Sequence, residues 1–63
     1  MPRYFHLTAY TNSETGEGRV EGKASVATFT QPTTDPDAYA QGFLHALRFM
    51  GGDGELHHEQ GWD

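Results

Sequence analysis

Four histidines stand among nine carboxylates in a chain of 63 residues, and the densest group closes the sequence in GGDGELHHEQGWD. His6, His57, His58, Glu55 and Glu59 together offer imidazole and carboxylate, two ligand types that zinc accepts. The spacing works against a shared ion. In a strand, the adjacent His57 and His58 point to opposite faces, and in a helix they stand about 100° apart. A site would need His6 or His45 brought in by the fold or by a neighbouring subunit, and His45 falls on the solvent side of an expected helix. Histidines that face solvent or hydrogen-bond locally are the favoured reading. No metal or other cofactor is expected, and the five residues above stand as the alternative ligand set.

Catalytic constellations are weaker still. Ser13 or Ser25 could be combined with a histidine and an aspartate, but neither serine lies in the strained turn that a nucleophile needs. The GGDG stretch (51–54) has the glycines of a phosphate-cradling loop. Such loops precede a helix, whereas this one follows the expected helix, so its glycines read as a helix stop. No group of residues meets the requirements of role and geometry for an active site, and the chain is not expected to be an enzyme.

The charge balance narrows the partners. Arg3, Arg19, Lys23 and Arg48 face nine scattered carboxylates, for a net charge of −5. So few cations neutralise few phosphates, which disfavours nucleic acid and leaves a single-stranded nucleic-acid platform as the least favoured alternative. No apolar run reaches the roughly 20 residues of a membrane span, so no membrane partner is expected. The segment MPRYFHLTAY does not read as a signal peptide. Cysteine is absent, which removes disulfides and thiolate metal sites and makes the cytoplasm the expected location.

The elements follow from periodicity. Residues 3 to 11 alternate as a strand, with Phe5, Leu7 and Ala9 on one face and Tyr4, His6, Thr8 and Tyr10 on the other. The polar stretch 12–18 links this strand to a second, 19–30, whose Val20, Ala24 and Val26 point inward. Gly22 interrupts that apolar side, marking a bulge or a close approach of another backbone, and Phe29 falls on the polar parity, so the strand either bends near Ala27 or carries this ring outward. Asp35 then serves as N-cap and Pro36 as first residue of an amphipathic helix to Met50, with Tyr39, Ala40, Phe43, Leu44, Ala46, Leu47 and Met50 on its apolar side. Residues 55–62 suit a short third strand that places Leu56, His58, Gln60 and Trp62 on one face. The expectation is a single α+β domain over 1–63: a small antiparallel sheet, made of a β-hairpin and a short third strand, packed on one amphipathic helix in the order β-β-α-β.

Eight aromatic residues exceed what so thin a core consumes once Phe5, Leu7, Val20, Val26, Phe43, Leu44 and Leu47 fill it. One helix covers one sheet face, which leaves Tyr4, His6 and Tyr10 outside. Phe49 lies off the apolar stripe, and Trp62 stands near the end of the chain. Aromatics in such places are anchors of interfaces, so these five are the expected partner-binding residues. The expected function is a non-enzymatic interaction module that binds another protein or itself as a homodimer. In size, acidity and element order the chain resembles the small accessory proteins that phages encode to bind and block host machinery. The resemblance is one of architecture, assigns no residues, and implies action by occupancy.

Overall fold

The computed structural model describes residues 3–25 and 27–60. The alternating segment at the start forms β1 (Tyr4–Thr11), followed by β2 (Gly18–Ala24), β3 (Ala27–Pro32), the helix α1 (Pro36–Phe49) and β4 (Asp53–Gln60). The strands build one sheet in the order β3-β2-β1-β4. Neighbours β1–β2 and β2–β3 run antiparallel, whereas β4 runs parallel to β1. A helix on one face of a small sheet is the expected α+β class.

The sheet departs from the expectation in having four strands, not three, and in being mixed, not wholly antiparallel. Each difference has a physical cause. The segment 19–30 is two strands, because the chain reverses after Ala24: Ser25 takes φ 46°, and Ala24 pairs with Ala27. Positive φ is what a two-residue hairpin demands, and here no glycine or asparagine announces it. The second cause is the helix. It lies between β3 and β4 in the chain and carries it back across the sheet, and a return of that kind delivers a parallel strand. Val26, expected in the core, lies outside the described residues.

The hairpin also corrects the parity of Phe29. With the turn inserted, Phe29 pairs with Gly22 and faces the helix, not solvent. Its ring lies where a Cβ on Gly22 would project, so the missing side chain makes room for a phenyl ring, and is neither a bulge nor the approach of another backbone. Phe29, Phe43 and Phe5 form a cluster, with centroids 5.2 Å apart for Phe29–Phe43 and 5.3 Å for the edge-on Phe5–Phe43 pair. Such rings contribute beyond their buried area.

Both ends of α1 are capped as the sequence reads. The Asp35 carboxylate accepts from the Ala38 amide at 3.1 Å, and Pro36 opens the first turn. At the other end, the Gly52 amide donates to the Leu47 carbonyl and the Gly51 amide to the Arg48 carbonyl, with Gly51 at φ 92°. That pair of bonds is a Schellman closure, which needs a residue at ease in the left-handed region.

The core is small. Leu7, Val20 and Ala40 are fully enclosed, Ala9 and Ala24 nearly so, and Leu44 is buried; Phe5, Phe29, Phe43, Leu47 and Leu56 pack around them, partly covered. The helix lies over β4, β1 and β2 and scarcely reaches β3. Its apolar arc is therefore wider than the surface beneath it. Tyr39 and Met50, expected on the core side, stay 36% and 75% exposed.

Candidate functional site

On the sheet face away from the helix, β1 presents Tyr4, His6, Thr8 and Tyr10 beside Glu55, His57 and Glu59 of β4, as the register requires. Glu55 is the hub of this face. The Tyr4 hydroxyl donates to Glu55 Oε1 at 3.0 Å, and His57 Nε2 lies 2.5 Å from Oε2. His6 Nδ1 lies 3.5 Å from the same oxygen. These partners hold the Glu55 carboxyl below its ordinary value, His57 first and Tyr4 next, while the carboxylate raises the Tyr4 hydroxyl. Nearby, the Arg48 guanidinium bonds Asp53 Oδ1 at 2.7 Å and, with the Gly54 amide, lowers that carboxyl too.

A carboxyl lowered on folding stabilises the fold above its unfolded value, and that contribution disappears as pH falls through the folded value. Glu55 starts from an ordinary 4.5 and Asp53 from 3.8. The melting temperature should therefore fall as the solution is acidified from about pH 5 to about pH 3. A Glu55→Gln variant, scanned by circular dichroism over that range, should show a shallower fall. An equal fall in the two proteins would mean that Glu55 contributes nothing.

The alternative ligand set divides between the two faces of the sheet. His57 shares the open face with His6 and Glu55, but His58 points to the helix side, where its Nε2 lies 2.7 Å from Asp37 Oδ1. The divergence of the two neighbouring histidines is the one anticipated from strand geometry. Among the described residues, no group of three or more histidines and carboxylates is arranged to hold a metal ion.

The expected partner-binding residues fall on two surfaces. Tyr4, 48% exposed, and His6 lie on the open face, their rings 5.3 Å apart and edge-on. Tyr10 shares that face but is half-buried, with the Arg19 guanidinium stacked 4.5 Å above its ring. A groove of about 350 Å³ runs between Tyr10 and His6 on one side and Thr28 and Thr30 on the other, open to solvent. Phe49 is on the helix, across the sheet, and is 84% exposed. Trp62 lies outside the described residues.

A second apolar surface is made mostly of residues that sequence reasoning had assigned to the core. Tyr39, Phe43, Ala46 and Met50 recur at helical spacing along one flank of α1, and Phe49 adjoins them. The flank faces the strip over β3 that the helix leaves uncovered, where Phe29 is half-buried. No charged side chain interrupts these five positions. One signal in the sequence pointed to it: the helix carries more apolar residues than a small sheet can cover.

No helix among the described residues is long and apolar enough to cross a membrane. No family model, no curated protein and no solved structure matches the chain.

Proposed function

We propose that this protein is a non-enzymatic interaction module that acts by occupying the surface of a protein partner and by associating with itself. The observation that carries this reading is the exposure of Phe49 and Met50, 84% and 75%, on the uncharged flank of α1. Large apolar side chains left exposed at a helix end of a small domain are costly to leave in water, and they are residue types that anchor interfaces. The surrounding surface is acidic, with a net charge of −5, and favours a basic partner while speeding encounter. Blocking a larger assembly is the finer form of this reading, in the manner of the phage accessory proteins it resembles. A cytoplasmic setting suits a chain without cysteine. The open groove beside Tyr10 excludes little water, which is poor ground for catalysis.

The test is a partner recovered on the immobilised protein, purified, and titrated by calorimetry. Phe49→Ser combined with Met50→Ser should weaken binding by about 100-fold or more. The circular dichroism of that variant should match the parent, because neither side chain contributes to the buried core. Undiminished affinity in the double variant would overturn the assignment of this flank.

A further inference from the structure

The two edges of the sheet differ in length and in their protection. The β3 edge is six residues long and ends in Pro32. The β4 edge runs for eight residues, Asp53–Gln60, without a proline. A long, regular edge without proline is a template for another strand, provided that the partner's charges match its own.

The backbone polarity of that edge can be read directly. Asp53 donates its amide to the Arg3 carbonyl at 2.6 Å, so Asp53 and, by the strand's period of two, Glu55, His57 and Glu59 bond inward to β1. The amides and carbonyls of Leu56 and His58 accordingly point outward. The Gly54 amide also points outward and is met by Asp53 Oδ1 at 2.8 Å. Beyond β4 no further strand joins the sheet among the described residues.

We infer that β4 pairs antiparallel with β4 of a second copy about a two-fold axis through Leu56, joining two sheets into one. This specifies the self-association within the proposed function and rests on it. The charge pattern suits a second copy and favours this register over the adjacent one. With Leu56 opposite Leu56 of the second copy, outward backbone groups face outward backbone groups, and Glu55 stands opposite His57 twice. Moving the axis to His57 would instead set Glu55 against Glu59 twice, a like-charge pairing that destabilises a sheet. In the Leu56 register Asp53 meets Glu59 at the ends, where Arg48 already bonds Asp53.

The helix flank above the seam is complementary as well. Asp37 sits over the far end of β4, bonded to His58, and Arg48 over its beginning, bonded to Asp53. A two-fold axis reverses that order, so Arg48 of each copy comes to the end of the seam that holds Asp37 of the other. Opposite charges are thus offered twice on both layers, in a chain whose net charge of −5 would otherwise oppose self-association. The apolar flank over β3 lies on the far side of each copy and stays open, so the dimer presents two anchors to a partner.

Sedimentation equilibrium across a concentration series tests this. The parent chain should sediment as a dimer of the 7.0 kDa protomer. His57→Glu should raise the dissociation constant about tenfold, since it replaces two attractive pairs by two repulsive ones. Adding Glu55→Lys to His57→Glu restores complementarity in the same register and should return the constant to within about threefold of the parent. His57 is exposed and Glu55 partly so on the open face, and circular dichroism should report a retained fold. Amide exchange should slow at Leu56 and His58 as concentration rises. The Phe49→Ser and Met50→Ser variant should remain dimeric. A parent that stays monomeric at millimolar concentration overturns the inference, as does a dimer indifferent to His57→Glu. Dissociation in the Phe49/Met50 variant alone would assign the dimer to the helix flank instead, and loss of partner binding without loss of the dimer leaves the edge pairing intact.

Discussion

Leu7→Ala is expected to leave much of the protein unfolded at room temperature. Leu7 is fully enclosed on an interior strand, flanked by Gly22 of β2 and Leu56 of β4, and belongs to the core with Val20, Ala40 and Leu44. Truncating a buried leucine to alanine costs about 2–5 kcal/mol, because the lost transfer energy is joined by that of a cavity the surroundings fill only in part. A single core in a chain this short supplies only about 3–5 kcal/mol of net stability. The two quantities are comparable, so one substitution removes most of the margin. Urea titration and thermal melting by circular dichroism measure the effect, with the melting temperature expected to fall by more than about 10 °C. Leu7→Met, which nearly preserves volume, should cost less than about 1.5 kcal/mol. If both variants melt together with the parent, the core is not where Leu7 places it.

A second large effect is expected at Gly54, with the opposite sign at Gly42. Gly54 is buried where β4 passes under the helix, and a Cβ there would stand 2.5 Å from the Phe5 carbonyl oxygen and 2.8 Å from Leu44 Cδ2. The first obstacle is backbone and cannot swing aside, so Gly54→Ala must displace β4 from β1 or lift the helix. Overpacking of this kind costs about 1–3 kcal/mol, again a large share of the total. Gly42 lies exposed in the middle of α1, and a Cβ added there meets nothing within 4 Å. Gly42→Ala should therefore stabilise the protein by about 0.5–1 kcal/mol through helix propensity and a less disordered unfolded chain. Midpoints of urea unfolding compare the two directly. Equal shifts of the same sign would contradict the packing described for Gly54.

The helix was legible because its signals are local. Asp35, Pro36, Gly51 and Gly52 act within a turn of their own positions, and each is found in the role its chemistry predicts. The face assignments of β1 and β4 were legible for the same reason, since the period of two ties side-chain direction to sequence parity. The divergence of His57 from His58 follows from that alone. The β2–β3 turn was not legible, because Ser25 at φ 46° lacks the glycine or asparagine that normally signals such a turn. One missed turn then inverted the reading of the β3 residues, Phe29 above all. Tyr39 and Met50 were read as core because helical spacing reports which residues share a side, not how much of that side finds a partner.

By itself, the sequence determined that this protein has one amphipathic helix with defined ends, strands with a polar and an apolar face, no thiol chemistry, and an acidic surface carrying more aromatics than its core absorbs. Each of these depends on residue type and short-range spacing. Only the tertiary structure decided that β4 runs parallel beside β1, that Glu55 gathers Tyr4, His6 and His57, and that the helix leaves β3 uncovered with Phe49 and Met50 beside it. These depend on where the chain returns after the helix, a long-range choice made by the packing of whole faces against one another and carried by no single residue.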